Sequence, residues 1–279
     1  MTNLTFFEEH RICNKDVASI IKILYLGDIV GRATRDCLSQ NLAGIKRMND
    51  VDIVVANAEN ATSGAGITRE HAEFLHRAGI DMMTLGDHVW DRRGFEDDID
   101  NIPYICRPAN LPKNTPGRCF ISTKIGNIKV GVFVVLGQCF MKIRADNPFE
   151  STDELIKNHR DDVDVMLCEV HAEATSEKVA FGWNYDGTVS CVVGTHTHVQ
   201  TADEKILPKG TAYITDLGMC GSYESVLGRE IQDVVHSIRS GMPRKLEVAN
   251  KNVMLNGIIL HIDTSSGLAT KITRFCEKC

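Results

Sequence analysis

At 279 residues, 43% hydrophobic and 24% charged, the chain has ample apolar mass for a core, in one large α/β domain or two small ones. With 31 Lys and Arg against 37 Asp and Glu, a formal charge of −6 argues against an extended surface for long nucleic acids. A small nucleotide or a local basic patch stays open, whereas a membrane span does not, because the longest apolar stretch, Val130 to Leu136, is too short to cross a bilayer.

The opening MTNLTFFEEHRICNKD mixes acids and bases and has no apolar core of an export signal. The first clear strand starts at Ile21, so residues 1–20 are expected to be an N-terminal extension and 21–279 a single domain. Short apolar runs then recur: IIKILYLGD to Asp28, VDIVVANAEN to Asn60, IDMMTLGDH to His88, DVDVMLCEVH to His171, SCVVGTHTH to His198 and TAYITDLG to Gly218. Runs apolar at nearly every position suit strands buried on both faces. Amphipathic stretches lie between several of them. One is opened by Thr68, turns Phe74 and Leu75 inward and ends at Gly79 as a C-cap. This alternation predicts an α/β fold with helices on the faces of its sheet. IKVGVFVVLG and the late VMLNGIILHID read as further strands, the latter in a second sheet, and RPANLPKNTPG as a loop.

Ten cysteines are scattered along the chain, and without an export signal they read as reduced thiols of a cytoplasmic protein. Cys276 and Cys279 form a lone CxxC, too isolated to predict a zinc or redox site.

The residues just past the strand ends are chemically of one kind: Asp28, Glu59 with Asn60, Asp87 with His88, His171, and His196 with His198. Singly, such an Asp is a turn former or helix cap and such a His an ordinary polar residue. In succession they predict acidic and imidazole groups gathered on one sheet edge, a donor mixture suited to divalent Mn, Fe or Zn. In GTHTHVQT an extended backbone puts His196 and His198 on the same side, while a bend after the strand lets each serve a different ion.

Together the motifs GDIVGR, NAEN, GDHVWD, RPAN, VHAEATSEK, GTHTHVQTAD and LPKGTAYITDLGM, in this order from about Ile23 onward, resemble the YmdB-like branch of calcineurin-type metallophosphoesterases. The resemblance implies a four-layer α/β/β/α sandwich with two metal ions at the sheet ends, iron or manganese first, zinc or magnesium next. It also implies hydrolysis of small phosphodiesters, among them cyclic nucleotides (2',3'-cyclic nucleotides or cAMP), by attack of a water held between the ions, and a homo-oligomer. Asp28, Asn60 and His198 match ligands of the first ion, His171 and His196 those of the second, and Glu59 the carboxylate they share. His88 matches the residue facing the substrate, where it protonates the leaving oxygen or orients a neighbour, with Asn60 beside the phosphate. The chain departs from the family pattern at Asp87, where the branch carries Asn. A third carboxylate would strengthen metal binding and weaken the pull on an anionic diester, or alter metal preference.

Asp91, Arg107, Asn110, Thr195 and Glu173 lie in the matched motifs without a clear ligand role; Glu173 and Asp91 read either as partners for metal-bound histidines or as ordinary loop and capping contacts. Trp90 and Trp183 read as core residues before base-stacking ones, and Lys178 as a solvated lysine before a phosphate contact. Two other functions compete: a phosphomonoesterase or phosphoprotein phosphatase of the same fold, and a regulatory protein that binds nucleotide or RNA with little turnover.

Overall fold

In the computed structural model, residues 20–279 are described; the expected extension lies outside the described residues except for Ile20. Along the chain come β1 (Ile20–Leu26), β2 (Asp28–Ile29), α1 (Gly31–Asn49), β3 (Ile53–Asn57), α2 (Arg69–Arg77), β4 (Met82–Thr84), α3 (Phe95–Asp98) and β5 (Ile105–Cys106). The middle of the chain forms β6 (Phe120–Ile125), β7 (Ile128–Leu136), α4 (Pro148–His159), β8 (Val165–His171), α5 (Thr175–Asn184), β9 (Cys191–Thr195), β10 (Lys205–Ile206) and β11 (Ala212–Ile214). It closes with β12 (Met219–Ser222), α6 (Ile231–Ser240), β13 (Val253–Asp263) and β14 (Leu268–Lys278).

Two sheets result. One runs β2-β12-β13-β1-β3-β4-β5 with β14 on β13, the other β10-β11-β9-β8-β7-β6. In β1, Leu24 and Leu26 join a core shared with α1 and α2, whereas Ile21, Ile23 and Tyr25 face the second sheet. In β8, Val165 and Leu167 face the first sheet, and Met166, Cys168 and Val170 pack with Phe181 and Tyr185 from the α5 side. Strict two-residue alternation thus fills three apolar layers, which is why these runs are apolar throughout. The order helix, sheet, sheet, helix is the four-layer sandwich.

Thr68 caps α2, its hydroxyl accepting from His71 N, and Gly79 follows the helix at φ +111°. VMLNGIILHID departs from its expected place: as β13 it pairs antiparallel with β1 in the first sheet, and the second sheet is instead opened by β6 and β7. The reduced-thiol reading also needs correction. Cys37 and Cys279 form a disulfide with Cα atoms 6.0 Å apart. Its cause is tertiary: β14 runs along β13, Cys279 N donates to Val253 O, and the chain end arrives beneath α1, which carries Cys37. Seven described cysteines are free, including Cys276, so the CxxC is not itself a pair.

Candidate metal centre

Parallel pairing of β1 with β3, β3 with β4, β7 with β8 and β8 with β9 brings several strand C-termini to one edge. Ligands collect at such edges. Here β3 delivers Glu59, the turn after β4 delivers Asp87 and His88, β8 ends on His171, and β9 leads to His196. Ligand atoms of Glu59, Asp87, His171 and His196 all lie within 4.8 Å of one another. His171 Nε2 is 3.1 Å from Glu59 Oε1, 3.0 Å from Asp87 Oδ1 and 3.1 Å from His196 Nδ1. The second ring nitrogen of His196 faces Glu173 at 3.2 Å. Gly86 closes this cradle: a Cβ there would stand 2.3 Å from Glu59 Oε2 and 2.4 Å from His171 Nε2, so the ligands can converge only past a glycine.

Asp28, Asn60 and His198 adjoin this group. Asn60 Nδ2 lies 3.2 Å from Glu59 Oε1 and 3.3 Å from His198 Nε2, and His198 Nε2 is 3.8 Å from Asp28 Oδ1. Asp28 Oδ2 accepts from His196 N at 3.2 Å. The two imidazoles of the HxH motif diverge because His196 and His198 take φ of +96° and +66°, left-handed values that non-glycine residues adopt only under constraint. The constraint is visible in Asp216, whose Oδ2 accepts from Thr197 N at 3.2 Å, from Thr197 Oγ1 at 2.7 Å and from Lys178 Nζ at 2.7 Å. Lys178 is therefore neither solvated nor a phosphate contact; only 1% exposed, it is the buried counterion that fixes this turn.

Glu169, which the sequence left among ordinary strand residues, organises the floor. It is fully buried and accepts from Tyr25 Oη (2.7 Å), Asn57 Nδ2 (2.7 Å), Thr84 Oγ1 (2.5 Å) and Thr195 Oγ1 (2.7 Å). Since Thr195 spends its hydroxyl hydrogen on Glu169, its oxygen must accept from His171 Nδ1 at 2.9 Å. That fixes an N–H on Nδ1 and aims Nε2 at the carboxylates, where a cation would take the place of its proton, the usual way an outer partner orients a ligating imidazole. The one signal for Glu169 was a lone carboxylate inside an apolar strand.

Electrostatics agree with a cation site. Burial raises the Asp28 carboxyl to about 7, and its Oδ1 is buried without a hydrogen-bond partner. Burial would raise Glu59 as well, but the His171 imidazole beside it holds it below the ordinary carboxylate value. Asp87 is likewise pushed up by burial and pulled down further by hydrogen bonds to His171 and His196. Conversely, burial disfavours charged His171, yet Glu59 and Asp87 raise it well above its usual value. An orphaned carboxylate oxygen, clustered anions and a proton held among them are what a divalent cation would replace. The residues fit.

His88 stands at the mouth. Its backbone N–H donates to Glu59 Oε2 at 2.9 Å and its Nδ1 lies 2.7 Å from Asp91 Oδ2, leaving Nε2 free. It lines both a cavity of about 320 Å³ shared with Asn60, His198 and Arg229, and one of about 420 Å³ shared with Asp87, Phe140 and Glu173. Arg107 and Asn110 serve structure: Arg107 clamps the carbonyls of Pro108, Thr115 and Pro116, and Asn110 bridges Leu136 and Asp146. Trp90 is half-buried against the first core, but Trp183 is 53% exposed, correcting its expected place inside.

The profile of the YmdB-like protein family matches residues 24–275. A Bacillus subtilis (strain 168) protein named 2',3'-cyclic-nucleotide 2'-phosphodiesterase is 40% identical over 254 residues, covering 91% of this chain and 96% of that protein. A crystal structure described as a novel phosphatase from Mycoplasma pneumoniae superposes with a TM-score of 0.87 at 34% identity, over 94% of this chain and 95% of that one. Haemophilus influenzae NAD nucleotidase shares the fold alone, with a TM-score of 0.55 at 10% identity over 93% of this chain and 49% of its own. With its two helix-flanked sheets and its strand-end cluster of carboxylates and imidazoles, the chain belongs to the YmdB-like family of calcineurin-type metallophosphoesterases.

Proposed function

We propose that the chain is a metal-dependent phosphodiesterase acting on small phosphodiesters, cyclic nucleotides first among them. The convergence of Glu59, Asp87, His171 and His196 carries the reading, supported by the name of the Bacillus relative. Asp28, Asn60 and His198 would hold a first divalent ion, Asp87, His171 and His196 a second, and Glu59 both. The mixed oxygen and nitrogen donors favour iron or manganese, ahead of zinc or magnesium. Two such ions, when bound, supply an activated water and a charge clamp on the phosphoryl oxygens.

The chain's own groups do the rest. Glu169 and Thr195 hold His171 in one tautomer, and Lys178 with Asp216 holds the turn that carries His196 and His198. Asp91 accepts from His88 Nδ1–H, so Nε2 can carry a proton to the leaving alkoxide oxygen. Asn60, on the cavity wall, offers its amide N–H to a phosphoryl oxygen. The decisive experiment compares release from bis-p-nitrophenyl phosphate and from the monoester with Mn or Fe added, for wild type and His88→Ala. Diester turnover that falls roughly 10²–10⁴-fold in the variant, with metal content unchanged, is the expected result. Absence of diester release from loaded protein overturns the reading. Preference for the monoester would support the second reading, a phosphomonoesterase, which the naming of the Mycoplasma relative favours.

The proposed unit is one domain over residues 21–279. A homo-oligomer is supported by α6, none of whose residues is buried and which exposes Ile231, Val235 and Ile238. No helix among the described residues is long and apolar enough to cross a membrane. Cytoplasmic residence is the proposed location, supported by the seven cysteines that stay free among the described residues.

A further inference from the structure

Behind the loop that carries Asn60 lies a second cleft, of about 630 Å³, outside the metal centre. Arg32, Arg35, Arg92 and Lys245 line it; Arg32 pairs with Asp36 at 3.4 Å and Lys245 with Glu247 at 2.5 Å, both at the exposed rim, while Arg35 lies deeper. Arg35 is only 9% exposed, has no ion pair among the described residues, and keeps its Nε buried without a hydrogen-bond partner. A guanidinium in that position is disfavoured by burial unless an anion meets it. The field is felt nearby: burial, then Arg35 and Arg92, lower the pKa of His71. The cleft also receives the start of α1, a helix with no side-chain cap and no acidic residue in its first turn, so its amide dipoles add to the positive field.

The cleft is joined to the metal centre. Gly31 N donates to Asn60 O at 3.1 Å, Ser63 lines the cleft and Gly64 lines the cavity beside the centre. Arg229 spans the gap, donating to the carbonyls of Ser63, Gly64 and Leu246.

We infer that this cleft is a second phosphoryl-binding site, in which Arg35, Arg32 and Lys245 receive a phosphate group while the metal centre holds another. The group is either carried by the substrate beyond its scissile diester or present as free phosphate. Recognition of phosphate by arginine forks backed by a helix N-terminus has the required chemistry.

The test titrates inorganic phosphate into the full-length, metal-loaded protein by calorimetry. Two classes of site are expected. Arg35→Met should weaken one by roughly tenfold or more, since it removes charged hydrogen bonds, while metal content and phosphate-free turnover stay unchanged. The exposed pair Arg32→Gln with Lys245→Gln, which leaves the core alone, should weaken the same site and not the other. Asp28→Asn should affect the other only. The source of the phosphate is read from KM for the dinucleotides pApA and ApA. A lower KM for pApA that is lost in Arg35→Met means a substrate-borne group; equal values with Arg35-dependent phosphate binding mean free phosphate. Isotherms for the Arg35 variant and the Arg32/Lys245 double variant that match wild type would overturn the inference. Because phosphate binding is read apart from turnover, a protein inactive on every ester would sink the proposed function and not this site.

Discussion

Thr195 Oγ1 lies 2.9 Å from His171 Nδ1 and 2.7 Å from Glu169 Oε1, so one hydroxyl passes the orientation of a buried carboxylate to an imidazole at the strand edge. Thr195→Val keeps the shape and removes the link. His171 could then adopt either tautomer, and an outer-shell loss of this kind costs about 10–100-fold in metal affinity. Chelator competition on folded protein measures it. Unchanged affinity would mean that the hydroxyl is only a packing group.

Asp87 tests charge rather than orientation. Its Oδ1 sits 3.0 Å from His171 Nε2 and 3.3 Å from His196 Nδ1, inside the cluster. Asp87→Asn keeps the oxygen donor and removes one negative charge. Metal should leave at lower chelator concentration, while each loaded site should pull harder on an anionic diester and turn over faster. Equal metal retention in both proteins would place Asp87 outside the ligand set.

Protons and metal should compete for this site. In the metal-free protein the Asp28 carboxyl is raised to about 7, chiefly by burial, and His171 stands well above its usual value beside Glu59 and Asp87. Both groups therefore hold protons at pH values where isolated ones would have lost them. Loading a cation displaces those protons, so apparent metal affinity must rise with pH, most steeply below about 7, where both groups are protonated, and less steeply above it. Calorimetry in buffers of different ionisation enthalpy should show net proton release at pH 6.5. Zero release would remove these groups from the binding event.

The layers of the fold were legible because burial on both faces leaves a mark: β1, β3, β8 and β9 are apolar at successive positions, and their ends carry the candidate ligands. Thr68 and Gly79 announced α2 through local backbone chemistry. What stayed hidden depends on partners distant in sequence. Lys178 finds Asp216 across 38 residues, and nothing local distinguishes it from a surface lysine. β13 joins the first sheet because β1 needs an antiparallel neighbour on its open side, a choice made by pairing and not by composition. The role of Glu169 stayed hidden for the same reason: its four donors come from four other strands or strand ends, and only the assembled interior makes its charge tolerable.

The disulfide ties the chain end to the first helix of the sandwich. Cys37 and Cys279 are 242 residues apart, so their bond restricts nearly the whole unfolded chain. Loss of a native disulfide typically costs about 2–5 kcal/mol. Cys279→Ser should therefore lower the thermal midpoint by several degrees under non-reducing conditions. In reducing buffer the wild type should fall to the variant's value, since both then lack the link. The metal centre lies among residues that neither cysteine touches, so metal content should not change. A variant with wild-type stability in both buffers would show that β14 is held by its pairing with β13 alone.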